Sequence, residues 1–180
     1  MPDTEQKILA AALKVFAEKG YKGATTKVIA DESGFSEFTL FRKFKSKENL
    51  FELVLLQGAE DLKQELLNVL VDSEFEDTRD FLVYFVTSLD QVAGKNFDFL
   101  NLSLNDGSMS LKPFLEESLR LLSQYIQDHL PGQDVDYQSF ALTIFAFIYM
   151  VNLDRYHGRS FLNHQEVLEG FIDNLDLALR

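Results

Sequence analysis

Apolar side chains recur at helical spacing along almost the whole of this 180-residue chain, and no segment alternates with a period of two in β-branched residues. That pattern excludes sheet architectures and predicts an all-α fold. With 46% hydrophobic and 26% charged residues, the chain can bury a full core or two small ones, which excludes a disordered tail. Cysteine and tryptophan are absent, so a disulfide framework, thiolate metal sites and a cysteine nucleophile are excluded too.

A first helix is predicted over 4–19, with Ile8, Leu9, Ala12, Leu13 and Phe16 on one face, Asp3 and Gln6 spaced as a capping box, and Gly20 as the stop. A short second helix starts at a Thr25 or Thr26 cap and runs to Gly34, and Ser36 caps a third that ends at Phe44. Ser46 caps a long fourth, from Lys47 to about Val71. Further helices are predicted over 78–93, 96–105, 110–129, 135–157 and 164–179, punctuated by Gly94, Asn105-Asp106-Gly107, Pro131-Gly132 and Gly158. No repeat of 20–50 residues and no low-complexity tract occurs.

The net charge of −12 argues at first against a nucleic-acid partner, yet it is unevenly placed. Residues 1–50 hold nine Lys and Arg against seven Asp and Glu, net +2, whereas the other eight and 22 give residues 51–180 a net charge of −14. This contrast predicts two domains, 1–50 and 51–180, joined inside the fourth helix, where the charge balance changes near Gln57.

Ser33-Gly34-Phe35-Ser36 joins the second and third helices with the spacing of a helix-turn-helix. Ile29, Ala30, Phe35, Leu40 and Phe44 fall on inward positions, leaving Glu37, Phe38, Thr39, Arg42 and Lys43 on the outer face of the second of the pair. The run from Gly20 to Ala30, and then from Gly34 through Lys47-Glu48-Asn49-Leu50, resembles the TetR family of transcriptional regulators over roughly residues 5–57. The resemblance implies a homodimer, an N-terminal domain bound to a double-stranded DNA operator, and a C-terminal helical domain that binds an inducer and dimerises.

By position it implies that Thr25 caps the second helix and bonds a phosphate, and that Lys27 reaches the backbone or a base edge. Ser36 caps the recognition helix, Thr39 and Phe41 lie against the DNA backbone, Arg42 reads a base, and Lys47 holds a phosphate. Three residues depart from the family pattern, which often has a cation at Glu37, a small residue at Phe38 and tyrosine at Phe41. Glu37 repels phosphate unless it accepts from a cytosine amino group, Phe38 suits a thymine methyl, and Phe41 lacks the phosphate-bonding hydroxyl. The operator is expected to differ from those of typical relatives.

The acidic remainder is dense in phenylalanine and tyrosine. An effector site is expected from Phe81, Tyr84, Phe85, Asn101, Tyr125, Phe145 and Tyr149, and its aromatic lining favours an apolar ligand. The negative balance favours a small hydrophobic effector that is neutral or cationic, although Lys95, Lys112, Arg120 or Arg155 at a mouth can admit a carboxylate or an acyl thioester. The helix over 135–157 is apolar nearly all round, and one protomer covers one face only. Its Phe140, Ile144, Phe147, Ile148 and Val151, with Val167, Leu168, Phe171 and Leu175 of the last helix, are therefore expected at a two-fold, four-helix interface.

His129, His157 and His164 lack metal-ligand spacing, and no nucleophile elbow, phosphate loop or dinucleotide fingerprint occurs, so neither metal, cofactor nor catalysis is expected. The most apolar run, 140–153, has 14 residues where a membrane span takes about 20, and the N-terminus does not read as a signal peptide. A cytoplasmic protein with no membrane partner is expected. The chain reads as a DNA-binding regulator, a repressor released by its effector; the rival reading is a helical small-molecule carrier with a vestigial head.

Overall fold

The computed structural model describes residues 4–71, 73–105, 112–158 and 163–180, and among them it shows nine helices and no strand. They are α1 (Thr4–Gly23), α2 (Thr26–Ser33), α3 (Glu37–Phe44), α4 (Lys47–Val69), α5 (Thr78–Lys95), α6 (Phe97–Asn105), α7 (Lys112–His129), α8 (Tyr137–Tyr156) and α9 (His164–Ala178). Asp3 of the expected capping box lies outside the described residues. Gly20 interrupts α1 with φ 67° and ψ 166°, so the regular helix stops where the sequence places its end. That left-handed φ costs glycine little, because it has no Cβ.

Two compact units form. The first comprises Met1–Asp61 with Asp98–Leu111, and the second Leu62–Phe97 with Lys112–Arg180. These units divide the chain differently from the charge-based split at residue 50, because the head also packs the following part of α4 and nearly all of α6. Its core is Ile8, Ala12, Val15 and Phe16 of α1, Ile29 and Ala30 of α2, Leu40 and Phe44 of α3, and Leu50, Phe51 and Val54 of α4.

Within this unit α6 approaches α4 at Gly58. A Cβ built there would stand 2.3 Å from a carbon of the Phe99 ring, and Phe99 is fully buried. The close contact exists because residue 58 has no side chain.

The second unit buries Phe81, Leu82, Phe85, Val86 and Leu89 of α5 against Leu122, Tyr125 and Ile126 of α7, Ala141, Ile144, Ile148 and Val151 of α8, and Leu168, Ile172 and Leu175 of α9. Asp77, Asp136 and Asn163 cap α5, α8 and α9, each accepting from the backbone N–H three residues on. No helix of the described residues is long and apolar enough to cross a membrane.

Gly58→Ala is expected to destabilise the head. Alanine gains up to about 1 kcal/mol of helix propensity, but overpacking against a buried ring costs about 1–3 kcal/mol. Urea denaturation checks the sign; a variant more stable than wild type would show that Phe99 shifts freely.

Candidate nucleic-acid interface

Capping chemistry sets the helix-turn-helix. Thr25 Oγ1 accepts from Val28 N at 3.3 Å to start α2. Gly34, with φ 73°, ends it, its N–H directed at the Ala30 and Asp31 carbonyls. Ser36 Oγ then accepts from Thr39 N at 3.2 Å to start α3, and the Ser36 and Thr39 hydroxyls bond one another at 3.0 Å.

With Leu40 and Phe44 buried, α3 turns Glu37, Phe38, Phe41, Arg42 and Lys43 outward. Phe38 and Phe41 are 73% and 66% exposed, an unusual display for two adjacent large rings. They line a groove of about 410 Å³ with Thr26, Glu37, Ser46 and the buried Leu40, Phe44 and Leu50. Thr25, Lys27, Ser36 and Arg42 are exposed and Thr39 is half-buried.

Two expected contacts already have partners inside the head. Glu37 Oε2 accepts from Thr26 Oγ1 at 2.6 Å, so the carboxylate ties α3 to the start of α2. Lys47 Nζ donates to the carbonyls of Tyr21 at 2.9 Å and Ala24 at 3.1 Å, and stands 4.2 Å from the centre of the Tyr21 ring. Its role in shaping the turn before α2 was not legible as a motif, because the partners are separated by more than twenty positions.

Tyr21, to which the sequence assigns no role, packs against Phe51 and Phe16, with ring centres 4.8 and 6.1 Å away. Its hydroxyl donates to Glu48 Oε1 at 2.8 Å. Partial burial first, and that bond second, push the phenol up from its ordinary value. The Glu48 carboxylate is held below the usual carboxylate range by its own backbone N–H, then by the Tyr21 and Ser46 hydroxyls. Two further head cations are paired, Lys14 with Glu32 at 2.7 Å and Lys43 with Glu5 at 3.5 Å.

The residues expected at the effector site fall into separate groups. Phe81, Phe85 and Tyr125 pack ring on ring with Tyr84, Phe75 and His129, at centre separations of 4.2–5.9 Å. The Tyr84 and Tyr125 hydroxyls donate to the Val69 and Val71 carbonyls, both at 3.0 Å. Phe145 and Tyr149 belong to a second group, Tyr149 packing on Phe97 at 5.4 Å. Asn101 belongs to the first unit, where it lines a cleft of about 410 Å³ with Phe16, Tyr21 and Asn105.

The expected two-fold face also divides. Ile144, Ile148, Val151, Leu168 and Leu175 are buried within the single protomer, so they form its own core rather than an open face. Sequence could not choose between the faces of α8, because both are apolar. Phe140, Phe147, Val167 and Phe171 remain half-buried, with Phe147 and Phe171 stacked at 3.7 Å. Elsewhere on α8, Leu142 and Met150 are 50% and 58% exposed. Among the described residues no three His, Cys, Asp or Glu side chains group as metal ligands.

Residues 8–54 match the family of bacterial regulatory proteins described as the tetR family. The HTH-type transcriptional regulator YvkB of Bacillus subtilis is 46% identical over 57 residues, 32% of this chain and 30% of that one. The match thus spans less than a third of that relative's length.

Solved structures extend the likeness to the whole fold. The TetR family transcriptional regulator PfmR of Thermus thermophilus superposes with a TM-score of 0.72 at 20% identity, over 100% of this chain and 97% of that one. The transcriptional regulator FadR of Bacillus subtilis, in complex with stearoyl-CoA, does so at 0.69 and 16%, over 97% and 99%.

Ser36→Ala removes the acceptor at the start of α3 and is expected to cost the head about 1 kcal/mol, whereas Ser36→Asp keeps it. Thermal melts of the two variants check the cap: equal midpoints would mean that Ser36 does not hold the helix. Residues 8–54 thus match the tetR family of bacterial regulatory proteins, and the chain as a whole shares the fold of these two solved regulators.

Proposed function

We propose that the chain is a homodimeric, cytoplasmic, DNA-binding transcriptional regulator, a repressor that a small hydrophobic effector releases from a double-stranded operator. The observation that carries this reading is the outward face of α3, whose exposed Arg42, Phe38 and Phe41 stand on a helix held by the Ser36 cap and the Thr26–Glu37 bond. A solvated three-helix head has no use for two large rings in water, and a carrier with a vestigial head has no reason to keep them there.

In this reading residues 1–50 bind DNA. Arg42 reads a base edge, Phe38 meets a thymine methyl, and Thr25, Lys27, Ser36, Thr39 and Phe41 lie along the backbone. Lys47 has spent two of its three N–H donors on carbonyls, so it offers a phosphate one bond and a positive charge. Glu37, occupied by Thr26, acts by fixing α3 against α2.

Residues 51–180 dimerise and take the effector. The half-buried Phe140, Phe147, Val167 and Phe171, extended by Leu142 and Met150, form the face offered to a second copy. Ligand binding shifts the dimer between spacings of its two heads that do and do not fit DNA, with α4, which contributes to both units, as the connection.

A neutral or cationic effector is supported by what became of the four cations able to admit an anion. Lys95 pairs with Glu65, Lys112 with Glu116, Arg120 with Glu117 and Arg155 with Asp90. FadR's stearoyl-CoA is the contrasting ligand class. A thermal-shift screen separates the two, since a ligand of the folded state raises the midpoint by mass action. Stabilisation by acyl thioesters and not by neutral or cationic hydrophobes would refute the charge argument.

A mobility-shift assay on the chain's own upstream region tests the regulator reading, and a carrier gives no salt-sensitive specific complex. Arg42→Ala is expected to cost about 1–3 kcal/mol on the operator and to relax one base position. Equal losses on operator and random DNA would make Arg42 a phosphate contact.

Met150→Lys is expected to dissociate the dimer while leaving helicity intact, because Met150 is exposed in the protomer; Phe147→Glu, which also loses the Phe171 stack, is expected to lower both. Light scattering with circular dichroism reads the two effects. A dimeric Met150→Lys variant would remove α8 from the interface.

A further inference from the structure

The groove beside α3 has a chemistry of its own. Its polar residues already have partners within the head: Thr26 Oγ1 donates to Glu37 Oε2 at 2.6 Å, and Ser46 Oγ accepts from Asn49 N at 3.1 Å to cap α4. Among the described residues no lysine or arginine lines it. The cations nearest in the chain are engaged elsewhere, Lys43 with Glu5 at 3.5 Å, Lys45 with the Arg42 carbonyl at 2.8 Å, and Lys47 with the Tyr21 and Ala24 carbonyls.

What remains to meet a partner is hydrocarbon. Leu40, Phe44 and Leu50 are no more than 2% exposed and underlie a space of about 410 Å³ that the exposed Phe38 and Phe41 flank. The two rings stand three positions apart on α3, which sets them on one face of the helix. Covering them is favourable in proportion to the apolar area taken from water.

On the regulator reading, on which this inference rests, the partner of α3 is the major groove of DNA. Base edges there present donors, acceptors and one aliphatic group, the 5-methyl of thymine. Phosphate finds no free donor in this groove, and the polar edge of any other base would be left unpaired against hydrocarbon.

We propose that the groove takes the apolar edge of one thymidine in each operator half-site, its 5-methyl group against Phe38 and the adjoining deoxyribose against Phe41. This part of the operator is then selected by a methyl group and not by charge.

The chain's own upstream region, amplified once with dTTP and once with dUTP, gives two templates that differ only in the 5-methyl groups. In mobility shifts of the full chain against random competitor DNA, the uracil template is expected to bind about fourfold more weakly for each half-site, the worth of one buried methyl group, hence about fifteenfold across a two-fold complex. That ratio is expected to hold between low and high salt, because a methyl contact releases no counterion. In Phe38→Ala, which removes an exposed ring and is expected to keep the wild-type melting temperature, the ratio is expected to fall toward one. Phe41→Ala is expected to weaken both templates alike, since every nucleotide carries the sugar.

A specific complex equally tight on both templates removes the thymidine and keeps the regulator, and it is the result to be seen if an apolar small molecule or a second copy fills the groove. A uracil effect undiminished in Phe38→Ala belongs to DNA shape and overturns the proposal. A ratio that collapses as salt rises, or a Phe41→Ala variant as tight as wild type, overturns it too. No specific complex on either template removes the regulator reading together with this one.

Discussion

Lys47 begins α4 at a helix N-terminus, whose partial positive charge disfavours a cation, yet the head is organised around its ammonium. The carbonyls of Tyr21 and Ala24 and the face of the Tyr21 ring offset that repulsion. Those carbonyls lie in the short turn between Gly20 and the Thr25 cap, so one side chain sets where α2 begins relative to α4. Glu48, the next residue, suits the helix dipole and takes the Tyr21 hydroxyl, which joins the same two segments a second time. The outward face of α3 is aimed from this frame through the Thr26–Glu37 bond. Substituting Lys47 therefore changes both the charge of the head and the shape of the frame that carries α3.

Charge is used differently in the two units. In the first, pairing leaves Arg42 and Lys27 exposed near the α3 face while Lys14 and Lys43 are tied to carboxylates across helices. In the second, where acid exceeds base, cations are held by carboxylates: Arg79 by Asp173 at 2.6 Å and Arg180 by Asp176 at 2.6 Å, besides those near the expected mouth. Such pairs contribute little stability in water. Their consequence is a surface poor in uncommitted positive charge, which directs the overall field of these residues against anions.

Local chemistry was legible in the sequence and long-range choice was not. The caps at Thr25 and Ser36, the stop at Gly20 and the turn at Gly34 follow from residues within four positions of one another, and the structure shows each where the pattern predicts it. Asn101 was grouped with aromatic residues of the second unit because α6 carries no mark of its partner. The glycine that admits α6, Gly58, lies more than forty positions away. Glu37 reads in sequence as an acid facing phosphate, and only the fold brings the Thr26 hydroxyl to it. The aromatic residues of α5 and α7 were legible as a group, but a list of rings does not separate a cavity lining from rings that pack on each other.

α8 shows why such choices need the fold. A helix apolar on every side can turn any face to its own core, and the hydrophobic effect, being proportional to area and without direction, ranks the faces almost equally. Shape decides. Ile144, Ile148 and Val151 are β-branched and stiff at χ1, and they are buried at little cost in side-chain entropy. Leu142 and Met150, more flexible, are left outside, where a second surface can still shape them. Asn152 then falls on the inward side one turn after Ile148, and burial obliges its amide to find Asp90 62 positions earlier in the chain. The face that packs the protomer thus also places Asn152, the most buried polar side chain among the described residues.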